Sequence, residues 1–267
     1  MIKTIFLDID GTLRNSNKEI TQKTKDVLKK CSSYGISSIL CSGRSKEYAY
    51  KIALEACASK IVIASDGAEI YDFNNNKQLY MSHISNIICE KIYNISKNYS
   101  VNMFIDTTNG QFTNDIERHS DTVNYAYDLK EIIQKNKILH IHFSSNNYES
   151  ANSFIDKLRN IDNIKITNNE KVFVFDNQYY VFVSTKTSCK GLAIKKYCEM
   201  FHISKNETMS FGDELNDIEM FMQTGYSIAM KNANPLLKTY ATDITLSNDE
   251  DGVAIYLENY LKTAKLT

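Results

Sequence analysis

The amino-acid sequence predicts an α/β protein: a parallel-sheet core interrupted by an inserted α+β domain. Three observations carry that reading. Near both ends of the chain, short apolar runs alternate with helix-period segments, the pattern of strand–helix–strand crossovers. Between about residues 82 and 184 the rhythm changes to strands joined by tight turns. Polar clusters recur where the apolar runs end, which is where open parallel sheets bind ligands.

The elements follow in order. Thr4 to Leu7 is an apolar run suited to a strand buried on both faces. Ile20, Val27, Leu28, Cys31 and Tyr34 recur at helical spacing, so a helix is expected over about 21–34, stopped by Gly35. Ile36 to Cys41 reads as a second strand. Ser45 is placed as the N-cap of a helix reaching about Ala58, and Lys60 to Ala64 as a third strand. Asp66-Gly67 and Asn74–Asn76 are turn signals bracketing short strands at Glu69–Asp72 and Gln78–Met81. In the insertion, Val101–Asp106 and Gln111–Thr113 flank Asn109-Gly110, while Lys171–Phe175 and Tyr179–Ser184 flank Asp176-Asn177. These hairpins predict an antiparallel sheet. The parallel pattern resumes with a helix from Cys189 to Phe201, a strand from Thr208 to Phe211, a helix from Asp217 to about Gln223 and a strand from Tyr226 to Ala229. The expected division is a core of 1–81 and 185–267 with an inserted domain of 82–184.

Composition narrows the function. The chain has 267 residues, 43% hydrophobic and 24% charged, with a net charge of −1. That is the balance of a globular protein. No basic stripe recurs, so neither a nucleic-acid nor a membrane-surface partner is expected. The first residues lack the apolar stretch of a signal peptide, and no apolar run has membrane-span length. The six cysteines show no CxxC spacing and read as reduced thiols, so a cytoplasmic location is expected.

The chemistry lies in the strand ends. Asp8-Ile9-Asp10 follows the first strand, Ser42-Gly43-Arg44 the second, and Gly212-Asp213 the late one, with Asn216-Asp217 a turn further on. One face of the sheet can therefore gather Asp8, Asp10, Asp213 and Asp217. At ~4 Å and an effective dielectric of about 20, each carboxylate pair repels by roughly 4 kcal/mol. A hard divalent cation removes that conflict, and oxygen donors without clustered Cys or His favour Mg²⁺. A carboxylate can also attack phosphorus and form an aspartyl-phosphate, given cationic or hydrogen-bonding help on the phosphoryl oxygens. Ser42 can supply a hydroxyl and Lys190 an ammonium. Gly11 permits the tight turn that carries Asp10 over the site.

These motifs together resemble the haloacid dehalogenase-like superfamily, specifically its Cof-type phosphatases with a large α/β cap of the C2B kind on a Rossmann-like core. DxDGT is met by Asp8-Ile9-Asp10-Gly11-Thr12 and the strand-closing Ser or Thr by Ser42. The lysine ahead of a helix is met by Lys190, and GDxxND by Gly212-Asp213-Glu214-Leu215-Asn216-Asp217. Ala229–Ala233 and Asp251–Ala254 are similar to further signatures. The resemblance implies that Asp8 is a nucleophile and Asp10 a general acid and base. It implies Mg²⁺ on the Asp8 carboxylate, the Asp10 main-chain carbonyl and Asp213, with Asn216 and Asp217 orienting metal waters or Lys190. Gly11, Ser42, Gly43, Arg44, Lys190 and Asn216 are the expected phosphate contacts. The substrate implied is a small phosphorylated metabolite: a sugar phosphate, nucleotide or cofactor phosphate. A phosphomutase using the same aspartyl-phosphate, or a non-catalytic phosphometabolite-binding protein, is the alternative. One departure is Asp66, where the family usually carries Asn.

Other features take structural readings. Asp66 is expected in a type I′ turn, with a ligand role as the alternative. Arg44 is either a salt-bridge partner or a substrate contact. His140 and His142 share one face of a strand, a spacing that could serve a metal, but no third ligand is evident, so the pair is read as solvated or structural. Phe173, Phe175, Tyr179, Tyr180 and Phe182 are read as sheet packing. A monomer or weak homodimer is expected.

Overall fold

The computed structural model describes residues 1–118, 120, 123–166, 171–175 and 177–264. Asp176, expected in a hairpin turn, lies outside the described residues. The first elements are β1 (Thr4–Leu7), α1 (Gln22–Ser33), β2 (Ser37–Cys41), α2 (Lys46–Ala56), β3 (Ile61–Ala64), β4 (Glu69–Asp72) and β5 (Lys77–Met81). Then come α3 (Asn86–Ser96), β6 (Asn102–Thr107), β7 (Gly110–Thr113), β8 (Val123–Tyr125), α4 (Lys130–Lys135), β9 (Ile138–Ser145), α5 (Tyr148–Leu158), β10 (Ile164–Ile166), β11 (Phe173–Phe175) and β12 (Gln178–Thr185). The last are α6 (Lys190–Met200), β13 (Thr208–Gly212), α7 (Ile218–Gln223), β14 (Tyr226–Ala229), α8 (Pro235–Lys238), β15 (Asp243–Ile244) and α9 (Gly252–Thr263). Among the described residues, no helix is long and apolar enough to cross a membrane.

The chain divides into two compact units, Met1–Tyr80 with Cys189–Thr267, and Met81–Ser188. In the first, the sheet order is β15-β14-β13-β1-β2-β3-β4-β5. Strands β15 through β3 run parallel, and β4 turns antiparallel against β3. β1 sits inside this sheet with Ile5, Phe6 and Leu7 fully buried, as its uninterrupted apolar run requires. The chain leaves β1 toward β2 on one side and reaches β13 on the other. The carboxyl end of β1 is therefore the point where strand order reverses, the position at which such sheets form a ligand crevice.

Local chemistry sets the helix starts. Thr21 accepts from the Thr24 amide at 3.2 Å and Ser45 from the Tyr48 amide at 3.4 Å. Cys189 takes the same role for α6, its sulfur accepting from the Leu192 amide at 3.3 Å. After β3, the Ala68 amide bonds the Ser65 carbonyl at 3.0 Å, and both central residues have positive φ, Asp66 at 50° and Gly67 at 83°. That is the type I′ geometry expected of Asp66-Gly67. The reversal makes β4 antiparallel.

In the second unit the sheet order is β10-β12-β9-β6-β7-β8, with β11 added on β12. The sequence predicts an antiparallel sheet; β8 departs from this, pairing parallel with β7. One face packs Met103, Ile105, Ile141, Phe143 and Val181 with Ile92, Phe154 and Leu158 of the helices. Ser82, just after β5, bonds Thr185 and Thr187 at 2.8 Å each, so the strands entering and leaving this unit are tied together within it.

Glu69 opens β4 in a buried position, with Lys46 Nζ at 3.6 Å. Burial pushes its carboxyl from 4.5 up to about 7, against the opposing pull of Lys46. The folded state then holds a proton the unfolded chain has lost, so this group's contribution to stability falls as pH rises from about 4.5 to 7 and is level above. The full loss is about 3 kcal/mol. Urea unfolding across that range in metal-free buffer should give a flatter pH dependence for Glu69→Gln than for wild type.

Candidate active site

The carboxyl ends of β13, β1 and β2 lie side by side. They present Asp213, Asp8 and Ser42 in that order. Lys190, the first residue of α6, projects into this group and is only 1% exposed. Its Nζ donates to Asp8 Oδ1 at 2.5 Å and to Asp217 Oδ1 at 2.7 Å. The other Asp217 oxygen accepts the main-chain N–H groups of Asp213 and Glu214, at 3.0 and 3.1 Å. Asp8, Asp213 and Asp217 can each offer an oxygen within 4.8 Å of the other two.

Electrostatics leaves this group short of positive charge. Burial, reinforced by Asp217 and Asp213, pushes the Asp8 carboxyl well above the usual range in spite of Lys190. Burial also raises Asp213, to about 7, although Thr12 Oγ1 donates to its Oδ1 at 2.8 Å and pulls the other way. Burial works against the charged form of Lys190, but Asp217 and Asp8 outweigh it and hold its pKa above the ordinary lysine value. Three carboxylates thus face one ammonium. The donors are hard oxygens, and a dication fits the deficit.

The remaining predicted residues stand around this group. Gly11 has a φ of +83°, and a Cβ there would fall 2.2 Å from Asp213 Oδ2, so only glycine lets the turn pass that carboxylate. The Asp10 side chain is not gathered with the other aspartates. It is exposed, with Arg44 Nε at 3.1 Å and Arg14 at 3.7 Å. Ser42 is buried and its Oγ accepts the Arg44 amide at 3.1 Å. Gly43 and Asn216 both meet Asp66: Asn216 Nδ2 donates to Asp66 Oδ1 at 3.0 Å, and a Cβ on Gly43 would lie 3.1 Å from the same carboxylate. Asp66 is therefore a turn residue whose side chain also faces the strand ends.

Sequence reasoning assigned no role to three supporting groups. Thr12 anchors Asp213. Asn232 Nδ2 donates to the Gly11 carbonyl at 2.8 Å, and its Oδ1 accepts the Asn248 amide at 3.1 Å, bracing the turn from the far end of the chain. Arg14 is fixed by Tyr48, whose hydroxyl lies 2.6 Å from NH1. Thr12 and Asn232 each fall inside a recognised motif, and that position was the available signal. Asp251, in the last such motif, accepts from the N-cap Thr21 hydroxyl at 2.6 Å, which is support for α1 and α9.

Deleting the central cation leaves the buried carboxylates of Asp8 and Asp217 without their counter-charge. Lys190→Met should lower the unfolding free energy by about 3–5 kcal/mol in metal-free buffer. Adding Asp217→Asn should recover part of that loss, a coupling that a double-mutant cycle in urea would measure.

Residues 5–257 match the haloacid dehalogenase-like hydrolase family. A 5-amino-6-(5-phospho-D-ribitylamino)uracil phosphatase of Bacillus subtilis, YcsE, is 26% identical over 268 residues, spanning 97% of this chain and 96% of that protein. The putative phosphatase MG265 of Mycoplasma genitalium is 27% identical over 284 residues, spanning 98% of this chain and 99% of that protein. In fold, the chain is similar to TM0651 of Thermotoga maritima, with a TM-score of 0.85, 24% identity and 97% of each chain covered. It is likewise similar to BT4131, described as a subclass IIB sugar phosphatase, with a TM-score of 0.78, 21% identity and coverage of 97% of this chain and 98% of that one. The chain belongs to the haloacid dehalogenase-like hydrolase family, as a hydrolase whose curated relatives are named phosphatases.

Proposed function

We propose that this protein is a Mg²⁺-dependent phosphatase that hydrolyses a small phosphorylated metabolite through an aspartyl-phosphate. The observation that carries the proposal is the buried set of Asp8, Lys190, Asp213 and Asp217 at the switch point of the sheet. A structural ion pair would need one carboxylate for one ammonium. Here three crowd around it, and the excess negative charge serves an enzyme that receives a cation and a phosphate ester.

In this reading an Asp8 carboxylate oxygen attacks phosphorus while the bond to the ester oxygen breaks. Lys190 holds the other oxygen of Asp8 in line and counters the charge on the phosphoryl group. The Ser42 hydroxyl donates to a phosphoryl oxygen. Asp10 gives its proton to the departing alcohol oxygen, then takes one from the water that attacks phosphorus in the second step, releasing phosphate and restoring Asp8. Asp10 is exposed, apart from the buried carboxylates, and its side chain is held by Arg44 and Arg14. Asp8, Asp213 and the Asp10 carbonyl would hold Mg²⁺, which supplies neutralisation of the phosphoryl charge. Asp217 positions Lys190. We assign the inserted unit, between the Ser42 and Lys190 motifs, the role of the substrate-selecting cap.

The test is phosphate release from a panel of sugar, nucleotide and cofactor phosphates, with Mg²⁺ or EDTA. Release should require Mg²⁺, and Asp8→Asn should lose roughly 1,000-fold or more in kcat while keeping its far-UV spectrum. Substantial turnover by folded Asp8→Asn would overturn the nucleophile assignment. Asp66 puts a negative charge beside Gly43 and Asn216, where an anionic substrate must approach. Asp66→Asn should therefore lower KM for the best ester by about threefold to tenfold, on the order of 1 kcal/mol; steady-state kinetics would show it.

A further inference from the structure

The second unit carries another donor set of different chemistry. Its sheet has one face packed against helices. On the other face, Asp106 of β6 stands directly opposite His140 of β9, and Phe104 directly opposite His142. Strand alternation puts His140 and His142 on the same side, two residues apart. The carboxylate supplied by the neighbouring strand is the third ligand that the sequence did not reveal. His140 Nδ1 lies 3.7 Å from Asp106 Oδ2, and one donor atom from each of Asp106, His140 and His142 falls within 4.8 Å of the others.

The surroundings hold these donors in place. Gln111 Nε2, on β7, donates to Asp106 Oδ1 at 2.6 Å and leaves Oδ2 on the side of His140. The His142 ring stacks on Phe104, with centroids 4.5 Å apart and planes 9° from parallel. Phe182 of β12 lies 5.9 Å from the His140 ring and 5.8 Å from the His142 ring. Asp106 and His140 are each 7% exposed, while His142 is half-buried. Bonds from a small dication to imidazole and carboxylate are ~2.0–2.2 Å long, so ring and carboxylate rotations of about an ångström bring all three donors onto one ion. A carboxylate fixed by an outer amide is the usual support of such a site.

We propose that Asp106, His140 and His142 bind a late first-row transition dication of the Zn²⁺ class. Two imidazoles select against Mg²⁺ and Ca²⁺, and with one carboxylate they make a donor set suited to such an ion. The site is built from residues that the phosphatase reading does not use, and it stands or falls independently of that reading.

The experiment uses the full chain, stripped with EDTA, desalted and held in excess Mg²⁺ so that hard-oxygen sites are occupied. Zn²⁺ is titrated by calorimetry, and the ring ¹⁵N signals of the histidines are followed by long-range ¹H–¹⁵N NMR. Micromolar or tighter binding is expected, with the ring signals of His140 and His142 shifting together. His142→Ala should abolish that binding event, and Gln111→Ala, which removes only the outer hydrogen bond, should weaken it about 10–100-fold. The proposal is overturned if Zn²⁺ leaves both rings unshifted, or if a folded His142→Ala protein binds Zn²⁺ as wild type does. Should His142→Ala fail to fold, the wild-type ring signals decide the matter alone.

Discussion

A buried ammonium between two carboxylates organises this protein. Lys190 stands at the start of α6, Asp8 at the end of β1 and Asp217 at the threshold of α7. Sequence separation between them is large, and one cation draws the three together. The rest follows from satisfying its partners. Asp217 must place one oxygen on Lys190, so its other oxygen collects the amides after β13 and closes that turn. Closing the turn places Asp213 beside Gly11, which must then lack a side chain. Gly11 in turn offers its carbonyl to Asn232. Each link is an ordinary hydrogen bond, but together they make the geometry of the strand ends depend on a charge that could not be buried alone.

The sequence was legible where one physical signal acted alone. β1 was read to the residue because its apolar run is bounded by a Lys and an Asp, and α2 begins at the cap its Ser advertises. The type I′ turn at Asp66-Gly67 was also readable, since few residue pairs accept positive φ twice in succession. What stayed hidden were relations set by pairing register. The sequence could place His140 and His142 on one face, but nothing local identifies the residue across the ladder as Asp106. The parallel pairing of β8 likewise carries no turn signature. Among the strand-end residues, spacing suggested that Asp10 would join the other aspartates. Its side chain instead turns toward two arginines, because the strand ends at Leu7 and the chain bends at Ile9, so Asp10 no longer lies on the side of Asp8 that alternation would give it.

The two sheets treat polar residues differently for a reason rooted in pairing. A parallel sheet covered on both faces has no place for charge along its strands, so its polar groups concentrate at the carboxyl ends. An antiparallel sheet packed on one side can carry polar and aromatic residues along its whole other face, as Phe104, Asp106, His140 and His142 do. Oxygen donors therefore gather in the first unit and imidazoles in the second, without either arrangement disturbing its core.

The insertion also has a consequence for how the chain is made. β1 carries Asp8 and is made ahead of the other strands of its sheet, yet one of its edges pairs with β13, which follows the whole inserted unit. Until Thr208–Gly212 emerges, that edge of β1 has no native strand beside it, and the Asp8–Lys190 pair still lacks Asp217. The inserted unit, continuous in sequence, has all its own strands while the first unit still lacks β13, β14 and β15. During synthesis the inserted unit can thus complete its sheet before the unit whose strands appear ahead of it.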